Sequence, residues 1–173
     1  VEIDKYPKAK AYLEEHFEQL SARSYIHEAH RNWYEIWVPQ NPCSWKNRKI
    51  VFRDISEQPE FWLDETGAIV NGDCYWIEID DTVFEETVYL ALAIANSRFI
   101  EKYYDAKFNT KLYSGKRRYM TQYVEQFPIP FTNIPASQKA IKLVKKIITE
   151  CDNGDTSRYM EELNRIVDSI FEI

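Results

Sequence analysis

The densest chemistry in this 173-residue chain lies between Lys107 and Arg118, where KFNTKLYSGKRR carries five cations and no acidic residue. Phe108, Tyr113 and Gly115 are interleaved with Lys107, Lys111, Lys116, Arg117 and Arg118. Such a segment can lie along a polyanion: lysine and arginine neutralise phosphates and release counterions, and glycine lets backbone approach closely. Arginine can also bind the O6 and N7 of guanine through two parallel hydrogen bonds. An ordinary solvated basic loop has the same composition, so both readings stay open at this point. A second cluster is Lys46, Arg48 and Lys49, with Arg53 further along; its plainer alternative is a strand with exposed charges. The candidate nucleic-acid contacts are therefore Lys46, Arg48, Arg53, Lys107, Lys111, Tyr113, Lys116, Arg117 and Arg118. Lys139, Lys142, Lys145 and Lys146 read instead as the wet face of an amphipathic helix. Trp33, Tyr34 and Trp37 make a dense aromatic stretch, one face of which belongs to a core while the other could support a recognition surface.

Other chemistries find little support. There is no GxGxxG, P-loop, HExxH or GxSxG. His27 and His30 stand three apart and could share a helical face, but no cysteine or acid cluster marks further ligands, so no metal is expected. Asp80 and Asp81 look like a catalytic pair; the better reading is that they end a strand and supply carboxylates to a helix N-terminus. No catalytic residue is assigned. Cys43, Cys74 and Cys151 have no metal spacing, and their odd number suits reduced thiols of a cytoplasmic protein. A net charge of -6 and a pI near 5.2 argue against a non-specific polyanion binder, so any DNA must meet a local basic face. Apolar runs fall short of the roughly 18 residues that cross a membrane. No signal peptide is visible, and a chain opening on Val1 reads as a piece of something longer.

The elements that must position these residues follow from periodicity. Tyr12, Leu13, Phe17 and Leu20 predict a helix from Tyr6 to Ser24. Asn32 to Pro39 reads as an aromatic strand, Gln40 to Asn47 as a loop, and Lys49 to Ile55 as a strand with Ile50 and Phe52 on one face and Val51 and Arg53 on the other. Glu60–Leu63 and Cys74–Ile79 complete a meander, with turns at Asp64–Gly67 and Asn71–Asp73. Thr82-Val-Phe-Glu85 predicts a capping box, followed by one helix with Val88, Leu92, Ala95, Phe99 and Tyr103 in a stripe. Asp105 to Arg118 reads as irregular, and Tyr119 to Gln126 as a last strand. Helices over Ala136–Thr149 and Ser157–Phe171, with a turn at Asn153–Asp155, predict an antiparallel hairpin. The fold class is α+β: a small, mostly antiparallel, curved sheet flanked by helices, with a C-terminal helical hairpin.

Taken in order, these pieces resemble a known family. Arg31-Asn-Trp33-Tyr34-Glu35, then Arg48-Lys49-Ile50-Val51-Phe52-Arg53-Asp54-Ile55, then Phe61-x-x-Asp64-x-x-Gly67 are similar to the opening of the TaqI-like C-terminal specificity domain of bacterial adenine-specific DNA methyltransferases. Leu92-Ala-Ile-Ala-Asn96-Ser97 with Tyr103-Tyr104 resembles the family's leucine-asparagine-serine helix, which a variable basic segment follows. Arg118-Tyr119 leading to Phe127-Pro128-Ile129-Pro130 resembles its short proline-closed strand end. Leu163, Ile166-Val167-Asp168 and Ile170-Phe171 are similar to its helical close. The resemblance runs from about Tyr6 onward and rests on order and spacing.

It implies a target-recognition domain over residues 1–131 with a helical hairpin, 132–173, packed on it. It also implies a separate upstream catalytic domain that binds S-adenosylmethionine and methylates the N6 of a flipped adenine in a restriction-modification system. The family's Asn/Asp-Pro-Pro-Tyr/Phe catalytic signature is absent, and Asn41-Pro42-Cys43-Ser44 is only a superficial echo. The chain itself is thus expected to hold no cofactor and to read base edges of double-stranded DNA in the major groove. Two alternatives remain: a specificity subunit of a multi-subunit restriction-modification complex, and an α+β protein-interaction module that never meets nucleic acid.

Overall fold

The computed structural model describes residues 2–36, 43–70, 72–108, 111–150 and 157–172. The chain divides into two compact units, 1–42 and 43–173. In the first, Pro7 opens α1 (Pro7–Glu14), where its missing N–H costs nothing. The single helix predicted from Tyr6 to Ser24 is in fact two, α1 and α2 (Phe17–Ser21), and a third, α3 (Ser24–Glu28), follows. Neither α1 nor α2 buries a residue, and without a packed face a long helix has little to hold it. The strand predicted from Asn32 is also absent from its described part. Residues 32–36 turn instead: Asn32 donates through its backbone and side-chain amides to the Glu35 carboxylate, at 3.2 and 3.0 Å. The Arg23 guanidinium donates to the carbonyls of Trp33 and Glu35, at 2.8 and 3.1 Å. These local side-chain bonds outweigh the strand propensity of Trp33 and Tyr34. Trp37–Pro39 and Asn41-Pro42 lie outside the described residues.

The second unit is built on β1 (Lys49–Arg53), the middle of an antiparallel sheet. After it come β2 (Ile55–Ser56), β3 (Phe61–Asp64) and β4 (Cys74–Glu78), and the order in the sheet is β3-β1-β4. Phe52 stands opposite both Phe61 and Tyr75. The turn after β3 is organised by Asp64, whose carboxylate accepts the Thr66 and Ala68 amides at 3.0 and 2.9 Å and pairs with the fully buried Lys49 at 2.5 Å. Gly67 closes that turn at φ 77°, and a side chain there would meet the Lys46 backbone at 3.3 Å. Burial pushes the Asp64 carboxyl up, but hydrogen bonds from Lys49, Thr66 and Ala68 outweigh it and hold its pKa at about 2.

Next come α4 (Glu85–Ala95) and α5 (Arg98–Phe108), where one helix was predicted. The break has a cause in Asn96 and Ser97. The Asn96 side chain pairs with both the N–H and the carbonyl of Phe61, each at 2.9 Å, tying the end of α4 to β3. The Ser97 hydroxyl then accepts the Ile100 amide and Asn164 accepts the Arg98 amide, so a new helix starts. The restart shifts the helical phase: Ile100 and Tyr104 are fully buried, while Phe99 and Tyr103 are only partly so. No capping box forms at Thr82, because Phe84 is the N-cap residue; Asp80 instead accepts the Thr82 amide at 2.8 Å in a preceding turn. Glu85 and Glu86, not Asp80 and Asp81, supply the carboxylates of the first turn.

Residues 105–108, expected to be irregular, complete α5. The last strand is β5 (Arg117–Arg118), which pairs with β2, and the predicted strand from Tyr119 is replaced by the short α6 (Thr121–Val124). Tyr119, Tyr123 and Phe127 are four apart, and their rings pack around Tyr104. α7 (Pro135–Glu150) and α8 (Ser157–Ile170) pack on each other and on α4. Their buried Ile141, Val144, Leu163 and Val167 share one core with Phe52, Phe61, Leu90, Ile94 and Tyr104. Lys139, Lys142, Lys145 and Lys146 are exposed. Among the described residues, no helix is long and apolar enough to cross a membrane.

Candidate nucleic-acid interface

The basic segment forms a finger whose root is β5. Lys111 bridges Arg117 in antiparallel fashion, and the Leu112 amide donates to the Lys116 carbonyl at 2.7 Å. A tight turn over Tyr113–Gly115 closes the tip, with φ of 65° at Ser114 and 76° at Gly115. A Cβ on Gly115 would meet nothing within 4 Å, so glycine serves the backbone angle here and not a close approach. The tip presents Tyr113, which is 97% exposed, beside Lys111, Leu112 and Lys116. Lys111 leans on Asp105 at 3.0 Å. Lys107, at the end of α5, donates to the Tyr103 hydroxyl at 2.7 Å and lies over the Tyr103 and Phe108 rings. Lys116 makes no ion pair among the described residues.

At the root the two arginines part company, as neighbours in a strand must. Arg117 points inward and is 7% exposed. Its Nε and Nη2 donate to the two Asp105 oxygens at 2.6 and 2.8 Å, and Nη2 also meets Glu101 at 2.8 Å. Nη1 donates to the Glu57 carbonyl at 2.6 Å and reaches the Gly115 carbonyl at 3.5 Å. All five donors are thus spent within the chain, which corrects the expectation that Arg117 faces a ligand. The Asp105 hydrogen bond outweighs burial and, with the Glu101 charge, drives the Arg117 pKa upward; Asp105 is held down first by Arg117 and then, against burial, by Lys111.

Arg118 points outward. Its Nε and Nη2 donate to the Asp54 oxygens at 3.0 and 3.1 Å, with the arginine side chain 50% exposed and that of Asp54 16%. The Asp54 hydrogen bond and charge raise its pKa, with Tyr75 a smaller contributor. Its backbone is pinned: Tyr104 Oη donates to the Arg118 carbonyl and the Tyr119 amide to the Asp54 carbonyl, both at 2.7 Å. Beside the pair opens a concavity of about 510 Å³ lined by Arg53, Asp54, Ile55, Asp73 and Cys74. Arg53 is exposed and pairs with Glu60 at 2.9 Å.

The second predicted cluster is split by the sheet. Arg53 ends β1 next to the finger root, because β2 carries the chain into its pairing with β5. Arg48 and Lys46 precede the opposite end of β1, roughly 16 Å away at strand rise. Arg48 is tied to Glu65 and Glu85 at 2.7 and 2.8 Å; burial opposes those partners, yet they raise its pKa. Lys46 is exposed. The acidic residues that organise the finger, Asp54, Glu101 and Asp105, escaped the sequence reading. The signal for Asp54 is its place just after Arg53 at the end of a strand. Among the described residues, no group of histidines, cysteines and carboxylates is placed to hold a metal.

The family model of the TaqI-like C-terminal specificity domain matches residues 2–129. The chain is 40% identical over 166 residues to the type II methyltransferase M.BanIII of Aneurinibacillus aneurinilyticus, covering 96% of this chain and 28% of that relative. It is 21% identical over 158 residues to the type II methyltransferase M.PaeR7I of Pseudomonas aeruginosa, covering 89% and 27%. It is 24% identical over 144 residues to the type II methyltransferase M.XhoI of Xanthomonas vasicola, covering 82% and 26%. The chain therefore spans little more than a quarter of the length of these larger relatives. By the family match, the chain belongs to the TaqI-like C-terminal specificity domains.

Proposed function

We propose that this chain is the sequence-specific duplex-DNA recognition domain of an N6-adenine methyltransferase of a restriction-modification system. The observation that carries the reading is the finger over Lys111–Arg118: an exposed tip of lysines and Tyr113 on a root locked by the buried Arg117. A two-stranded ribbon fits the major groove of B-DNA, about 12 Å wide, and a rigid root is what precise base contact requires. Lys111, Lys116 and Lys107 would neutralise phosphates, Tyr113 would rest against sugar or base, and the finger root with Arg53 would face base edges. Lys46 and Arg48 would serve, at most, a separate backbone contact. S-adenosylmethionine would be bound by a catalytic domain of the same parent chain, where the methyl transfer to a flipped adenine would take place. The similarity to three methyltransferases, each matched over about a quarter of its length, supports that arrangement.

Selection of this chain against a pool of random duplexes at low salt tests the reading. The expected result is an enriched motif that contains adenine. An unretained pool would contradict it and favour a protein-interaction module.

A further inference from the structure

The finger root carries one pairing whose geometry does more than add stability. An exposed arginine–carboxylate pair is worth little in water, typically between 0 and about 1 kcal/mol. Yet Arg118 is held by two parallel hydrogen bonds to Asp54, and both residues have their backbones fixed by neighbours: Arg118 through Tyr104 Oη, Asp54 through the Tyr119 and Asp73 backbones. The planar guanidinium has five donors in two usable edges. Asp54 takes the Nε–Nη2 edge. The other edge, Nη1 with the outer N–H of Nη2, lies on the far side of the fork from Asp54. The Tyr75 hydroxyl also lies at this guanidinium, and it offers one oxygen to the three donors that Asp54 leaves. We propose that Arg118 reads a guanine in the recognised duplex through this second edge, and that Asp54 is the positioning residue that aims it. The inference rests on the DNA-reading function proposed above.

Three considerations select guanine. Its major-groove edge offers two adjacent acceptors, N7 and O6, which match two parallel N–H donors. Adenine offers N7 beside the N6 amino donor, so the same edge of Arg118 would meet one acceptor and one donor. A phosphate is the weaker competitor, because Asp54 already neutralises the charge that a phosphate would seek, while directional bonds to a base edge keep their value. Arg117 has no donor left. Arg53 meets Glu60 through Nε and one oxygen, a single contact where Arg118 has two parallel bonds.

The test is random-duplex selection with the 173-residue chain, its R118K variant and its D54N variant, with thermal melting of each to establish folding. Lysine keeps the charge and loses the fork. The wild type is expected to enrich a motif with one invariant guanine. R118K should keep the rest of the motif and lose preference at that guanine by about tenfold or more. D54N should relax the same position by a smaller factor, since the fork remains but is no longer aimed. A motif unchanged in both variants, or weakened equally at every position, would overturn the assignment while leaving DNA recognition intact. Retention of wild type without any motif would overturn it too, leaving only backbone binding. An unretained wild type would remove the DNA-reading function and this inference together.

Discussion

Arg117 and Arg118 are adjacent, identical in type and opposite in use. Arg117 faces inward, with its five donors taken by Asp105, Glu101 and two carbonyls. Arg118 faces outward, with one edge taken by Asp54 and its side chain half exposed. Strand alternation alone makes the difference, since β5 pairs with β2 and must send successive side chains to opposite faces. A basic run in a recognition segment is therefore not a list of ligand contacts. Some of its cations build the finger and others are displayed by it.

The largest effect should come from removing the inward member. Arg117→Met leaves Asp105 and Glu101 facing each other without their shared cation, and should cost about 3 kcal/mol in urea or thermal unfolding. Arg118→Met should cost less than about 1 kcal/mol in the same assay. Equal losses would erase the distinction between the two arginines.

The same inward logic governs Lys49 and Asp64. The Asp64 pKa is lowered from 3.8 to about 2, so the carboxylate stabilises the fold above about pH 3.8, and that stability is lost as pH falls toward 2. The window is worth about 2 kcal/mol for a group this buried. A D64N variant, less stable at neutral pH, should show a shallower loss of stability than wild type between pH 4 and 2. Parallel acid-unfolding curves would mean that Lys49 does not hold Asp64 ionised. The smallest structural effect belongs to the display side. Tyr113→Ala should change unfolding stability by no more than about 0.5 kcal/mol, because the ring is 97% exposed. A larger loss would place Tyr113 in the architecture of the finger.

Much of this was legible in the residues. Strand propensity and turn chemistry located β1, β3 and β4, although Lys49 to Phe52 of β1 are all buried and do not alternate, and the 3.6-residue stripes located the two C-terminal helices. The failures fall where side chains bond to backbone. One helix ends and the next begins through partners far away in sequence: Asn96 bonds Phe61, 35 residues back, and the Arg98 amide bonds Asn164, 66 residues on. The Asn32–Glu35 turn defeats an aromatic run that looks like a strand. Tyr119 and Tyr123 fall in the stretch expected as a strand, yet with Phe127 they recur at a spacing of four, and their common target is the Tyr104 ring. At the candidate interface, the lysines of the tip were visible, but the acids were not. Asp105, Glu101 and Asp54 become partners of the arginines only once β2 and β5 pair.

The central claim is that the finger displays cations to DNA from a fixed root. It is tested most directly by measuring duplex affinity of the 173-residue chain and of a K111E/K116E variant over a range of salt. Each phosphate contact contributes about -0.9 to the slope of log affinity against log salt. Wild type is expected to show a steep negative slope, and the variant a slope shallower by about two with only a small loss of melting temperature from the broken Lys111–Asp105 pair. Identical slopes in the two proteins, or no duplex binding at low salt, would contradict the claim.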